Sequence, residues 1–289
     1  MKVMRIGDIV VRKSYKKDVT FKIIDIKEKD GKENVILKGI NIRIIADAEL
    51  DDLDMAEENS GSQDKILNTR VNEAIKKVMV LRGDVRDKVE KSPKIKAKNE
   101  LVFGRPGKIL HVDGDSEYME TCLKVYKQLS LDAVGRAIPE KDQPEVIVDL
   151  VKEIKPDIVV LTGHDSVIKD PKDYLSLDNY RNSKYYLESV KNLRNYNSSY
   201  DELVIFAGAC QSCYERILDV GANFASSPNR VLIHCLDPVF VCEKIAYTRI
   251  DNVVSITDVI ENTITGIKGV GGLQTRGKYR EGYPKSLYI

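Results

Sequence analysis

The sequence predicts an α/β protein: a parallel-sheet domain preceded by a small β module and a basic helical linker. Three observations predict it. Apolar runs at 109–113, 158–162 and 204–207 each end in a small-residue turn and are separated by helical patterns. That alternation gives parallel strands joined by right-handed crossovers. Before them lie short strand-like segments with glycine turns, and between the two regions the charge changes sign from acidic to basic.

Composition sets the outer limits. A chain of 289 residues buries a sizeable core and holds more than one domain. With 46 basic against 45 acidic residues it is no general nucleic-acid binder. It has neither an apolar run of membrane-spanning length nor a signal-peptide core at the N-terminus, which predicts no membrane association and an intracellular protein. Five irregularly spaced cysteines do not form a disulfide framework.

In chain order, residues 1–58 read as a small SH3-like β module. Strands are expected at 6–11, 19–26, 35–37 and 42–45, with a turn at 29–31. Residues 47–58 carry seven acids and no base, which reads as a solvated domain edge rather than a metal site. Residues 59–107 form a basic linker with a helix over about 63–82, where Ile66-Leu67, Val71, Ile75, Val78 and Met79 recur at helical spacing. Residues 91–98 read as a solvated stretch. Residues 108–265 are the α/β domain. Its expected strands are 109–113, 133–138, 158–162, 204–207 and 231–235, with helices after Ser116, from Gln143, near 182–195, from Tyr214 to Val220, from Asp237 and over 257–264. Residues 266–289, rich in glycine and bases, read as a tail. They match neither a Walker pattern nor a dinucleotide fingerprint.

The chemistry gathers at two strand ends. The run 204–209 delivers Cys210, and 158–163 delivers His164. A thiol needs a base to ionise near neutral pH, and imidazole is the usual one. The separation is 210 − 164 = 46 residues, with Ala209 just before the thiol, close to the caspase-type spacing. A Cys–His dyad follows: Cys210 attacks a carbonyl carbon, and His164 holds the proton and returns it to the leaving amine. The backbone N–H groups of Gly163 and Cys210 are the candidate oxyanion hole. Cys210 precedes the helix expected over Tyr214 to Val220 and would sit at its N-terminus, where the dipole favours the thiolate. Asp165 beside His164 diverges from it as a neighbour in sequence. No cofactor or metal is called for.

Other readings compete. Cys210-Gln211-Ser212-Cys213 is also the layout of a thiol–disulfide oxidoreductase. Cys210, Cys213, His234, Cys235 and Cys242 form an irregular zinc set. His111 and His234 lie inside apolar runs and read as core residues. A third alternative is a non-enzymatic interaction protein that docks through the β module.

Gly7 to Arg12, Leu161-Thr162-Gly163-His164-Asp165, Ala207 to Ser212, and Ala225-Ser226-Ser227-Pro228 leading to His234 together resemble the YabG-type sporulation cysteine proteases of spore-forming Firmicutes, across essentially the whole chain. The His164 and Cys210 blocks also resemble the wider caspase, clostripain and gingipain group. The resemblance implies a caspase-like peptidase domain and an endopeptidase that processes spore coat and cortex-associated proteins after arginine. It further implies a mother-cell cytoplasmic location at the developing coat, with Cys210 as nucleophile and His164 as base. Arginine preference requires a carboxylate at the pocket floor. In the caspase-like layout Asp113 or Asp115 reaches it, with Asp237 as another candidate. Self-cleavage in the linker, at Arg82, Arg86 or Arg105, is a further expectation.

Overall fold

The computed structural model describes residues 4–29, 32–56, 62–89, 102–168 and 170–286. The 91–98 stretch and the tip of the 29–31 turn lie outside them. Strands β1 (Ile9–Arg12), β2 (Thr20–Lys29), β3 (Lys32–Gly39), β4 (Ile45–Glu49) and β5 (Leu53–Met55) form an antiparallel sheet in the order β4-β3-β2-β1-β5. Alternate residues turn inward, so Val10, Phe21, Ile23, Val35, Leu37, Ala48 and Leu53 make its core.

Two expectations are corrected in this half. The 47–58 acidic run is not merely an edge: it holds most of β4 and all of β5. Its acids alternate with buried Ala48 and Leu53, and Asp52 binds the guanidinium of Arg12 at 3.0 Å. Charge had masked a period-two pattern. Residues 42–44 are not strand. They leave the sheet, and Ile42 forms an isolated antiparallel bridge with His234 in the other half.

Helix α1 (Ser62–Val89) is longer than its periodicity implied. Ile75 and Val78 are buried against the α/β core, with Leu67, Val71 and Ala74 packed beside them. Arg82, one of the self-cleavage candidates, is held by Glu243 at 2.6 Å and lies over the ring of Tyr247. The side chain of Arg86 lies outside the described residues.

The second half begins with β6 (Phe103–Arg105). It continues through β7 (Ile109–Asp113), α2 (Ser116–Gln128), β8 (Ala133–Ala137), α3 (Gln143–Ile154) and β9 (Ile158–Thr162). Then come α4 (Ser183–Tyr196), β10 (Val204–Ala207), α5 (Tyr214–Asp219), β11 (Phe224–Ser226), α6 (Asp237–Tyr247) and α7 (Ile256–Asn262). The chain closes with β12 (Val270–Gly272) and β13 (Arg280–Gly282). The main sheet runs β12-β11-β10-β9-β7-β8, parallel except for β12. Strand β13 pairs with β6. The 266–289 segment is therefore not simply a loop: Val270 is fully buried in the sheet.

Both faces of this sheet are covered, which is why its strands read as continuous apolar runs. Ile158, Val160, Val204 and Phe206 face the layer of α1, α2 and α6. Val159, Leu161, Ile205 and Ala207 face α3 and α4. Phe206 is fully buried, and Phe206→Ala is expected to cost about 3–5 kcal/mol, read as a lower urea midpoint.

One strand was misplaced in the sequence reading. Residues 231–235 lie outside the sheet, where the expected strand's place is taken by β11. Phe224 and Ala225 pair with Phe206 and Ala207, and 231–235 instead lie against Cys210 and Ile42. Chain direction across the sheet reverses between β7 and β9. In open α/β sheets the crevice for ligands lies at such a switch point, beyond the carboxyl ends of the strands.

Candidate active site

Register fixes what meets there. Asp113 ends β7 directly opposite Thr162, which ends β9. Two residues past Thr162 is His164. Leu161 pairs with Ala207, and three residues past Ala207 is Cys210. The carboxyl ends of three adjacent strands thus deliver a carboxylate, an imidazole and a thiol.

His164 is held from two sides. Its backbone N–H donates to Oε1 of Glu140 at 2.6 Å. Gly163 makes that approach possible, because a Cβ there would collide with the Glu140 carboxylate. Its Nε2 lies 2.9 Å from Oδ2 of Asp115. A carboxylate at that distance accepts a hydrogen bond from Nε2–H, which in the neutral ring leaves Nδ1 as the lone-pair nitrogen. Nδ1 is buried and, among the described residues, has no hydrogen-bond partner.

Asp115, rather than Ser116, caps α2: its Oδ1 accepts from the backbone N–H of Glu117 and Tyr118. The same oxygen takes Lys38 Nζ at 2.7 Å, and Lys38 belongs to β3. Burial alone would raise the Asp115 carboxyl, but hydrogen bonds from His164 and Lys38 outweigh it and hold the group well below the usual carboxylate range.

Cys210 sits in a turn tied by Asp165. The carboxylate of Asp165 accepts from Ser183 Oγ at 2.5 Å and from Ser212 Oγ at 2.8 Å, and Ser212 Oγ in turn accepts from Ala209 N–H. Asp165 therefore supports the thiol's turn and not the imidazole. Helix α5 starts at Tyr214 as expected, but Cys213 is its N-cap, so the expected placement of Cys210 at the helix N-terminus is corrected. Sγ of Cys210 accepts from Ile233 N–H at 3.1 Å. Burial pushes its pKa up to about 12, so in this conformation it is a neutral thiol. No hydrogen bond joins it to His164 among the described residues.

Asp113 is fully buried and carries a guanidinium. Arg43 Nη2 lies 2.6 Å from its Oδ2, and Thr162 Oγ1 donates to the same oxygen at 2.9 Å. Burial would raise this carboxyl too, but Arg43 holds it far below the ordinary range. Arg43 itself is completely enclosed and stands 5.0 Å from the ring of Tyr118. The Tyr118 hydroxyl lies 2.5 and 2.8 Å from the carbonyl oxygens of Gly39 and Ile42, which share its one proton.

The remaining candidates fall elsewhere. Asp237 is spent on structure: it accepts from Ile264 N–H at 2.7 Å, from Thr265 Oγ1 at 2.5 Å and from His234 N–H at 3.1 Å. His111 is a core residue between Tyr126 and Thr162. His234 is buried beside the cleft, and burial lowers its pKa to about 4. Cys210 and Cys213 are free thiols with different partners, Ile233 and the Tyr174 carbonyl. Among the described residues no three His, Cys, Asp or Glu side chains converge to hold a metal, so the zinc set does not assemble. No helix among the described residues is long and apolar enough to cross a membrane.

Lys38, Tyr118 and Glu140 carried no sequence signal. Arg43 did: a base flanked by Ile42 and Ile44 in an apolar run invites a search for a buried partner. A groove of about 340 Å³ continues beyond Ile42, lined also by Leu67, Leu232, His234 and Ile264.

A thiol and an imidazole at the switch point of an open sheet point toward hydrolytic chemistry, and sequence comparison gives the class. Residues 5–284 match the family model described as YabG peptidase U57, and the chain belongs to that family of proteases. More particularly, it is 41% identical over 285 residues to the sporulation-specific protease YabG of Bacillus subtilis (strain 168), covering 97% of this chain and 98% of that one.

Proposed function

We propose that the chain is a cysteine endopeptidase of caspase-like layout that cleaves after arginine, with Cys210 as nucleophile and His164 as general base and acid. The observation that carries this is the register: β7, β9 and β10 end together and bring Asp113, His164 and Cys210 to one crevice. For catalysis Sγ leaves the Ile233 N–H and gives its proton to Nδ1 of His164. The thiolate adds to the scissile carbonyl carbon, and the backbone N–H groups of Gly163 and Cys210 face the developing oxyanion. His164 returns the proton to the leaving amine. Water then adds to the thioester, losing a proton to His164, and the acid product departs with the thiol restored.

Asp113 is the arginine acceptor in this reading, because its buried carboxylate already matches a guanidinium. Asp115 serves as the positioning residue for His164. By kinship with a sporulation-specific relative, we place its substrates among spore coat and cortex-associated proteins in the mother cell, with the SH3-like module of residues 1–58 joined through the 59–107 helical linker to a peptidase unit starting at 108.

The test is cleavage of an arginine-containing coat protein by the intact chain. Cys210→Ala and His164→Ala, each checked by circular dichroism, are expected to lose cleavage by about a thousandfold or more. Cys213→Ser is expected to retain it, since only a redox enzyme requires the second thiol. Retained cleavage by Cys210→Ala would remove the cysteine-peptidase reading.

A further inference from the structure

We infer that the 39–44 loop of the β module lies in the substrate cleft as an internal occupant, with Arg43 filling the arginine site that a substrate must take. This rests on the reading of Asp113 as the arginine acceptor.

Main-chain pairing carries the inference first. Residues 41–43 lie antiparallel to 233–235: Cys235 N–H donates to Asn41 O at 3.0 Å, Arg43 N–H donates to Ile233 O at 3.3 Å, and Ile42 bridges His234. This is strand addition, the way an extended peptide docks on an unpaired edge. The edge is the 233–235 segment that packs against the nucleophile, because Ile233 also donates its N–H to Cys210 Sγ. One residue therefore contacts both the thiol and the inserted arginine.

The side chain gives the second observation. The guanidinium reaches Asp113 at the carboxyl end of β7, inside the cleft and away from the β module's own core. Its Nη2 binds Asp113, while Nε and Nη1 are buried and, among the described residues, have no hydrogen-bond partner. An arginine serving only to fasten two domains would be expected to satisfy its donors. One that leaves two unmet is held less firmly and can be displaced. The cleft in this state is thus filled, and its thiol is turned to Ile233.

The consequence is competition. A peptide ending in arginine binds only the fraction of molecules whose loop has left, so its apparent affinity falls by that fraction. The experiment uses a peptidyl argininal, which forms a reversible hemithioacetal with a cysteine nucleophile, on the full-length chain. Binding is measured by calorimetry for the wild type, Arg43→Ala and Arg43→Lys, and amide hydrogen exchange of residues 39–44 is followed with and without the aldehyde. Folding of each variant is confirmed by near-ultraviolet circular dichroism. Arg43→Lys keeps a cation on Asp113 should Arg43→Ala fail to fold.

Tighter binding by Arg43→Ala of roughly tenfold or more, with a smaller gain for Arg43→Lys, is expected if the open cleft is under about a tenth of the population. In the wild type the aldehyde is expected to raise exchange at 41–43. Equal binding by wild type and the folded variants, with 41–43 still protected, would overturn the inference while leaving the peptidase reading intact. No binding by any folded form would overturn both.

Discussion

Asp115→Asn is expected to lower kcat by roughly a thousandfold or more while leaving KM within a few-fold, because it reverses the imidazole. The Asp115 carboxylate can only accept from Nε2, which leaves Nδ1 as the nitrogen that takes the thiol proton in the proposed mechanism. An asparagine can turn its amide nitrogen toward Nε2 and donate, which moves the proton to Nδ1 and removes the base. Steady-state kinetics on an arginyl peptide check this, and a kcat within threefold of wild type would show that Asp115 only caps α2. The pH dependence of stability gives an independent readout. The folded carboxyl is depressed, so its contribution is complete above its unfolded value near 3.9 and drains as pH falls toward the folded value. In Asp115→Asn this acid loss is expected to shrink, and Lys38→Met should show part of the same change, since Lys38 helps depress the group.

Asp113→Asn is expected to destabilise the fold by about 3–5 kcal/mol, because Arg43 is left as a buried cation with no counter-charge. The urea midpoint measures it. The double variant Asp113→Asn/Arg43→Met should regain most of the loss, since an apolar chain of similar volume needs no partner. A double variant no more stable than the single would mean that Asp113 matters through Thr162 and the Asp115 backbone instead. On substrates, Asp113→Asn is expected to erase the preference for arginine. Retained preference would move the pocket away from β7.

The two effects separate what a carboxylate does for chemistry from what it does for binding. They are two residues apart in sequence, yet Asp113 faces the core and Asp115 faces the imidazole. The sequence reading treated them as interchangeable pocket candidates. The turn at Gly114 separates them, since Asp113 ends β7 and Asp115 caps α2, but which of the two reached the histidine depended on where Lys38 and His164 came to lie.

Much of the α/β half was legible in the residues themselves. The strands at 109–113, 158–162 and 204–207 are apolar on both faces because both faces are covered, and no other environment suits such runs. The positions of His164 and Cys210 followed, since a parallel sheet with short loops brings the ends of neighbouring strands together. Less legible was anything built across long separations. Residues 231–235 have the composition of a strand, yet Phe224–Ser226 won the sheet edge by pairing with β10, and 231–235 became a cleft wall. The last 24 residues looked like a tail because glycine conceals pattern, although Gly272 suits the close packing of β12 on Phe224 of β11 and Gly271 the close approach of Tyr214.

What the sequence by itself determined was local and periodic: the strand and helix alternation, the thiol and imidazole at strand ends, and the family they mark. The tertiary structure alone decided that Asp115 meets His164, that Lys38 and Arg43 reach from the β module to Asp115 and Asp113, and that Cys210 packs against Ile233. The reason is physical. Backbone periodicity is written in neighbouring residues, whereas a buried charge takes its partner from wherever folding leaves one. Here that partner was 70 residues away for Arg43 and 77 for Lys38, from 113 − 43 and 115 − 38.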